Sequence, residues 1–431
     1  MNKIDTKYHH PTDQITEIIK RIYNARLTTT SGGNISIKDS EGNIWITPSA
    51  IDKGSLRPSD IVCVRKDGTI IGRHKPSSEF PFHKAIYEVR PELRSVIHAH
   101  PPALVSFSIV REIPITNIIP QARHICGPIG YANYSLPGGE ELGIEIAREF
   151  KQDYNAVIME NHGCVIGGYD IKDAYIRFET LEFAARTIIN AKMIGKPRYL
   201  SDAQIDAFES QIPEDLPELS KIEHNSDELQ IRKEISQLVK RACHQGLMIG
   251  SYGTVSVRFG NDAFLITPRN VPRWEIDIED IVLIQNGKRE KGKLPSRAVK
   301  LHEEIYKKNP KVNSIILTQP PDIMAFGVTK TKLDVRTIPE SWIFLQDIPV
   351  IKFGDHFFNN DTISHTISTD SPALLIQNDS FVVTGDKLLN TFDRLEVAEF
   401  SAKSLIMANP LGDLFPINEE QIEELRKKFL S

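Results

Sequence analysis

The sequence predicts a mixed α/β protein made of two domains that share one fold. Three observations carry that prediction. The chain has 431 residues, 40% of them apolar and 25% charged, which is globular composition over more length than one core usually serves. Helical apolar stripes alternate with short strand-like runs bounded by turn residues. A set of short motifs in the first half returns in the second at a nearly constant spacing.

The elements follow in order. Ile15, Ile18, Ile19, Ile22 and Tyr23 lie on one helical stripe over Asp13 to Tyr23, just after a Thr/Asp cap. Past a small polar loop, Thr28 to Asn34, the alternation of Ile35 and Ile37 with Ile44 and Ile46 predicts a β-hairpin closed by a Ser-Glu-Gly-Asn turn. A strand at Asp60 to Val64, a turn at Asp67-Gly68, a helix from Pro81 to Val89 and a strand from Ser95 to His100 come next. Ala156 to Met159 and Cys164 to Ile166 are two strands flanking Glu160-Asn161-His162-Gly163, and Ile171 to Ile194 is a long helix. The acidic stretch Ser201 to Asp227, with Pro213 and Pro217, is expected as an exposed connector. The expected divisions are a first domain over 1–205, a linker over 206–227 and a second domain over 228–431.

Beyond the connector the pattern restarts. Glu228 to Ala242 repeats the opening helix, Gly253-Thr254-Val255-Ser256 echoes Gly33-Asn34-Ile35-Ser36, and Thr267-Pro268 echoes Thr47-Pro48. Thr47 corresponds to Thr267 and His83 to His302, an offset of 220 falling to 219, so the chain reads as a duplication.

Net charge is −5 with basic residues scattered, which gives no reason to expect a nucleic-acid or anionic-membrane partner and favours a small-molecule one. The polar N-terminus lacks the apolar core of a signal peptide, and no apolar run approaches the ~18 residues of a membrane span. The four cysteines, Cys63, Cys126, Cys164 and Cys243, have no paired spacing. Together these point to buried thiols in a cytoplasmic protein.

His98 and His100 alternate across the end of a strand, so both imidazoles share a face and can converge on one metal. Such a pair alone is also satisfied by two ordinary strand-end histidines. His162, on a strand-turn-strand with Gly163 after it, adds the third histidine of a divalent site with an open position. Glu79 stands at a helix start, where the dipole alone also favours an acid.

Gly33-Asn34-Ile35-Ser36, Thr47-Pro48-Ser49, Pro76-Ser77-Ser78-Glu79, His98-Ala99-His100 and Asn161-His162-Gly163, in this order over roughly residues 13 to 210, resemble the motifs of class II aldolases of the L-fuculose-1-phosphate aldolase type. The resemblance implies two three-layer α/β/α sandwiches, each around a mostly antiparallel sheet. It implies that His98, His100 and His162 hold Zn2+, or another divalent metal such as Mn2+ or Fe2+. Glu79 would be the acid/base, also touching the metal before substrate binds. Gly33, Asn34, Ser49, Ser77 and Ser78 match phosphate-binding positions, and their amides and hydroxyls are what a phosphate needs. Ordinary helix capping competes as a reading of Ser77-Ser78. The implied reaction is cleavage of a phosphorylated ketose or sugar acid through a metal-stabilised enediolate.

The stretch Pro114 to Pro120 lacks the tyrosine that such aldolases use as general acid, leaving Tyr131, Tyr134 and His124 as nearby substitutes. Epimerase, dehydratase and decarboxylase chemistry of the same superfamily therefore stay open, as does an adducin-like role in interaction without catalysis. In the second copy Ala298 stands for Glu79, Leu317 for His98, Gln319 for His100 and Asp379 for His162, which predicts a domain without a metal site. Because family active sites lie between subunits of a fourfold ring, a homodimer imitating that tetramer is expected. There Arg269 or Arg297 would face substrate or plug the inactive pocket.

Overall fold

The computed structural model describes residues 9–211, 215–220, 224–355, 361–368 and 371–430. They form two compact units, one of Met1–Thr116 with Ala122–Ala185, the other of Asn117–Gln121 with Arg186–Ser431. Each unit contains an eight-stranded sheet. In the first, β1 (Asn34–Lys38), β2 (Ile44–Ile46), β3 (Val62–Val64), β4 (Ile70–Ile71), β5 (Ser95–Ala99), β6 (Gly130–Ala132), β7 (Ala156–Met159) and β8 (Gly163–Gly168) lie in the order β4-β3-β2-β1-β5-β8-β7-β6. Only β6 runs parallel to its neighbour, β7.

The second unit repeats that layout with β9 (Thr254–Arg258), β10 (Ala263–Ile266), β11 (Val282–Gln285), β12 (Lys288–Arg289), β13 (Ser314–Thr318), β14 (Val350–Ile351), β15 (Ala373–Ile376) and β16 (Ser380–Gly385). Their order is β12-β11-β10-β9-β13-β16-β15-β14, again with one parallel pair, β14 on β15. The register is shared too. Asn34 pairs with His98 and Thr254 with Leu317; His98 pairs with Val165 and Leu317 with Val382. These pairings place Leu317 at the position of His98, as the sequence offset predicts.

Both units are α/β/α sandwiches. In the first, Ser36 pairs with Val96 and Asn34 with His98, so alternation puts all four on one face. The helices Phe80–Val89 and Glu140–Phe150 cover that face, where Phe82, Ile86, Leu142, Ile146 and Phe150 pack with Val96, Val157 and Val165. The other face carries helices Pro11–Asn24 and Pro102–Ile109. The first of these buries Ile15, Ile18, Ile19 and Ile22, each worth about 1.5–3 kcal/mol against exposure. It starts earlier than the sequence suggests, because the His10 imidazole accepts from Thr12 N–H and caps it, ahead of the expected Thr/Asp cap.

Two further expectations change. β3 begins only at Val62, since Pro58–Asp60 forms a 3₁₀ turn with Pro58 at its start. The acidic stretch expected as an exposed linker is partly structured: Asp202–Glu209 is a helix closed by a Ser201/Gln204 capping box, with Ile205 and Phe208 buried. Leu216 joins the core of the second unit. Two apolar residues in a short polar helix leave too faint a stripe to be read from composition. Residues 212–214 and 221–223 of that stretch lie outside the described residues. Among the described residues no helix is long and apolar enough to cross a membrane.

Candidate metal centre

The site grows out of the end of β5. That strand stops at Ala99, one residue before His100, because Pro101 has no N–H with which to extend the ladder. His98 is fully buried on the face covered by helix Phe80–Val89, its ring edge-on to Phe82 with centroids 5.6 Å apart. Its Nδ1 lies 2.9 Å from the Cys164 carbonyl. A carbonyl only accepts, so the proton sits on Nδ1 and the lone pair on Nε2 faces inward.

His100 follows at 4.7 Å between ring centroids from His98. His162 comes from the three-residue turn between β7 and β8, where Asn161 takes φ 54° and the Ser108 hydroxyl accepts from His162 N–H at 3.1 Å. Its ring centroid lies 4.9 Å from that of His98 and 5.1 Å from that of His100. A ligand atom from each of the three lies within 4.8 Å of the others.

The electrostatics suit a cation. Burial pushes His98 well below the usual imidazole range, helped by His100 and His162, and burial also lowers His100 and His162. All three rings are thus neutral near pH 7, the form that ligates. His98 Nε2 and His100 Nε2 are buried without a hydrogen-bond partner, an arrangement that costs about 1–3 kcal/mol per group unless something accepts those lone pairs. Three neutral imidazoles with two unpartnered inward nitrogens are a donor set that fits a divalent metal.

Glu79 is the N-cap residue of helix Phe80–Val89, yet its side chain makes no capping bond. The dipole still favours an acid at this helix start, but no capping bond fixes where the carboxylate points. Oε2 lies 3.3 Å from His98 Nε2 and Oε1 3.4 Å from His162 Nε2, and Asn34 Nδ2 donates to Oε2 at 2.6 Å.

The five positions expected to bind phosphate separate into two groups. Gly33 has φ 72°, and a Cβ there would stand 2.8 Å from the His98 carbonyl, so only glycine fits. Asn34 is committed at both ends of its amide, to Glu79 and to His83 Nε2, and is part of the carboxylate's support. The loops carrying Ser49, Ser77 and Ser78 are drawn together by a bridge between Pro48 and Pro76. Ser77 is buried with its hydroxyl accepting from Glu79 N–H at 3.3 Å, a local turn that leads into the helix without capping it; Ser49 is half-buried and Ser78 exposed.

Sequence reasoning missed Lys53. It is buried, donates to the Pro48 carbonyl at 2.9 Å, and is lowered to about 8 by burial, against the pull of Asp52 and Glu79. A lysine six residues past Thr47 gave no periodic signal. Of the substitutes for a general acid, Tyr134 and His124 are exposed, while the Tyr131 hydroxyl, on β6, is buried without a partner.

In the second unit the matching positions hold no such donors. Leu317 packs against the core, and the Gln319 amide donates to the Asp379 backbone carbonyl at 2.7 Å. Among the described residues the three histidines of the first unit are the one group of at least three close metal-ligating side chains.

Comparison with known proteins identifies the family. The family model for the Class II Aldolase and Adducin N-terminal domain matches residues 13–189 and again 233–406. An L-fuculose phosphate aldolase of Methanocaldococcus jannaschii is 35% identical over 181 residues, 41% of this chain and 95% of the relative. A 5-deoxy-D-ribulose 1-phosphate aldolase of Bacillus thuringiensis serovar kurstaki is 32% identical over 198 residues, 45% of this chain and 91% of the relative. A 3-oxo-tetronate 4-phosphate decarboxylase of Escherichia coli is 29% identical over 204 residues, 46% of this chain and 94% of the relative. The chain belongs to the class II aldolase and adducin N-terminal domain family, and it carries that domain twice.

Proposed function

We propose that the first copy is a metal-dependent aldolase that cleaves a carbon–carbon bond in a phosphorylated ketose or sugar acid. The observation that carries this reading is the convergence of His98, His100 and His162 on one point with the Glu79 carboxylate beside them. These three imidazoles would hold Zn2+, Mn2+ or Fe2+, with Glu79 beside the ion until substrate arrives. The ion supplies Lewis acidity that stabilises the negative charge developing when the bond breaks.

The chain's own residues do the rest. His98, fixed through Nδ1 to Cys164, presents Nε2 in a set direction. Glu79 moves the proton, and the Asn34 amide holds its carboxylate at one oxygen while the other faces His162. Gly33, Ser49, Ser77 and Ser78 would receive the phosphate, with Lys53 fixing the loop that carries Ser49. The relatives act on substrates named as sugar phosphates, which favours a phosphorylated substrate. The relative named as a decarboxylase favours a second reading, loss of carbon dioxide from a 3-oxo acid phosphate at the same centre.

The second copy would keep the fold and complete the assembly, a homodimer arranged like a four-membered ring of single domains. Four cysteines outside any disulfide, three of them buried, support residence in the reducing cytoplasm.

Elemental mass spectrometry of untagged protein tests the reading first. About one ion per chain, lost in a His98→Ala/His100→Ala variant, supports it and leads to retro-aldol and decarboxylation screens on phosphorylated ketoses and sugar acids. No ion, even after Zn2+ is offered, would leave the adducin-like role in interaction.

A further inference from the structure

The carboxylate of Glu79 is the end of a longer chain of hydrogen bonds. A carboxylate only accepts, so Asn34 Nδ2 must be the donor at 2.6 Å, and Asn34 Oδ1 must face His83. Because Oδ1 can only accept, the His83 proton sits on Nε2. His83 is fully buried, and burial together with the nearby His98 holds it well below the usual imidazole range, so its ring is neutral. Its Nδ1 is then an acceptor, and the Ser36 hydroxyl 2.7 Å away donates to it. The Tyr87 hydroxyl, 2.8 Å from Ser36 Oγ and 3.1 Å from the Ser36 carbonyl, closes the sequence. Each donor is set by the acceptor ahead of it, starting from Glu79.

The second unit supplies an internal control. Ser256, His302 and Tyr306 repeat the inner part almost to the distance: Ser256 Oγ lies 2.7 Å from His302 Nδ1 and 2.7 Å from the Tyr306 hydroxyl. There the sequence of bonds ends. Thr254 replaces Asn34 and turns to the Ser296 hydroxyl at 2.6 Å, Ala298 replaces Glu79, and His302 Nε2 is left buried without a hydrogen-bond partner. The inner three residues are thus a feature of the fold, present with or without a metal centre. The link from the imidazole to the carboxylate exists only in the copy that has the three histidines.

Resting on the metal reading above, we infer that His83, fixed by Ser36 and Tyr87, is a positioning residue that locks the Asn34 amide and through it holds the Glu79 carboxylate at the metal centre. Without His83 the Asn34 Oδ1 loses its donor, and the amide is no longer held from both ends in one orientation beside Glu79.

The test is Zn2+ affinity of the full chain, stripped of metal and titrated with Zn2+ alone against a competing chelator. Wild type binds one Zn2+. His83→Leu weakens binding about 10- to 100-fold, the usual effect of losing a partner that orients a ligand. His83→Gln, which keeps one donor and one acceptor, stays within a few-fold of wild type, and His302→Leu, which removes the same buried ring from the other copy, leaves affinity unchanged. Wild-type affinity in His83→Leu, or an equal loss in His302→Leu, would overturn the inference.

Should His83→Leu fail to fold, the pair Ser36→Ala and Ser256→Ala carries the same contrast. If wild type binds no Zn2+, the metal reading fails, and the positioning chain is then judged separately from nitrogen-15 shifts of the metal-free histidines. Protonation of His83 at Nε2 supports it, and protonation at Nδ1 overturns it.

Discussion

The two copies of this domain differ less in fold than in five side chains. Their sheets have the same strand order, and the buried pair of serine and histidine sits at the same distance in each. Lys53 donates to the Pro48 carbonyl, and at the matching place Arg273 donates to the Pro268 carbonyl and also to those of Gly253 and Val271. What the second copy lacks is Asn34, Glu79, His98, His100 and His162. The scaffold around the candidate site is therefore part of the core and is kept where the proposed ligands are absent, since losing a packed layer costs folding.

The largest test of that contrast removes ligands from the first copy. His98→Ala/His100→Ala is expected to abolish metal retention and to lower turnover of whichever sugar phosphate the screens identify by about 10³-fold or more, with the fold intact by circular dichroism. Retained metal in this variant would mean that the ion sits elsewhere.

Next comes Glu79→Gln. Loss of the acid/base is worth about 10²–10⁴-fold in turnover, so a variant that keeps its metal and most of its activity would remove Glu79 from the proton-transfer role.

Gly163→Ser sharpens the comparison, because Ser380 holds this place in the second copy. A Cβ on Gly163 would meet the Ala99 carbonyl at 2.5 Å and the His100 ring at 2.7 Å. Overpacking of this sort costs about 1–3 kcal/mol, and here it pushes on a ligand, so Zn2+ affinity measured by chelator competition should fall about 10- to 100-fold. Unchanged affinity would show that His100 is not held where its ring stands.

Smaller effects concern stability. Lys53→Ala leaves the buried Pro48 carbonyl without its donor and should destabilise the protein by about 1–3 kcal/mol in denaturant unfolding.

Both copies should be acid-sensitive, the metal-free first copy more so because His98, His100 and His162 are lowered along with His83. His83 and His302 are both depressed, His302 to about 3, so the unfolded chain binds more protons than the folded one below about pH 6.5. Stability is then fully present above that pH and falls as pH drops toward the folded values. The metal-free wild type should lose melting temperature on acidification, and His302→Leu should flatten that slope. A steeper or unchanged slope would contradict a neutral buried ring.

Much of the candidate site could be read in the sequence. His98 and His100 were legible because strand alternation places i and i+2 on one face, and His162 because it fell between two strands before a glycine. Glu79 could not be decided alone, since a carboxylate at a helix start serves the dipole as well as a metal. Its missing cap bond and its contact with Asn34 support the proposed role, which Glu79→Gln tests. Asn34 itself was expected to bind phosphate, and only the pairing of β1 with β5 shows that it stands opposite His98, with its amide spoken for. His83, recognised only as a marker of the repeat, became a functional candidate through its buried hydrogen bonds. The helix at Asp202–Glu209 was hidden in an acidic stretch.

By itself the sequence determined the duplication, the alternation of helices and strands, and the absence of the three histidines and the glutamate from the second half. These follow from residue identity and local periodicity, which need no knowledge of distant contacts. Only the tertiary structure decided which way amides and imidazoles face, where the buried Nε2 atoms lack partners, and where a single Cβ has no room. Those properties come from groups 45 to 66 residues apart in the chain, brought within a few ångströms by strand pairing, and no local pattern encodes them.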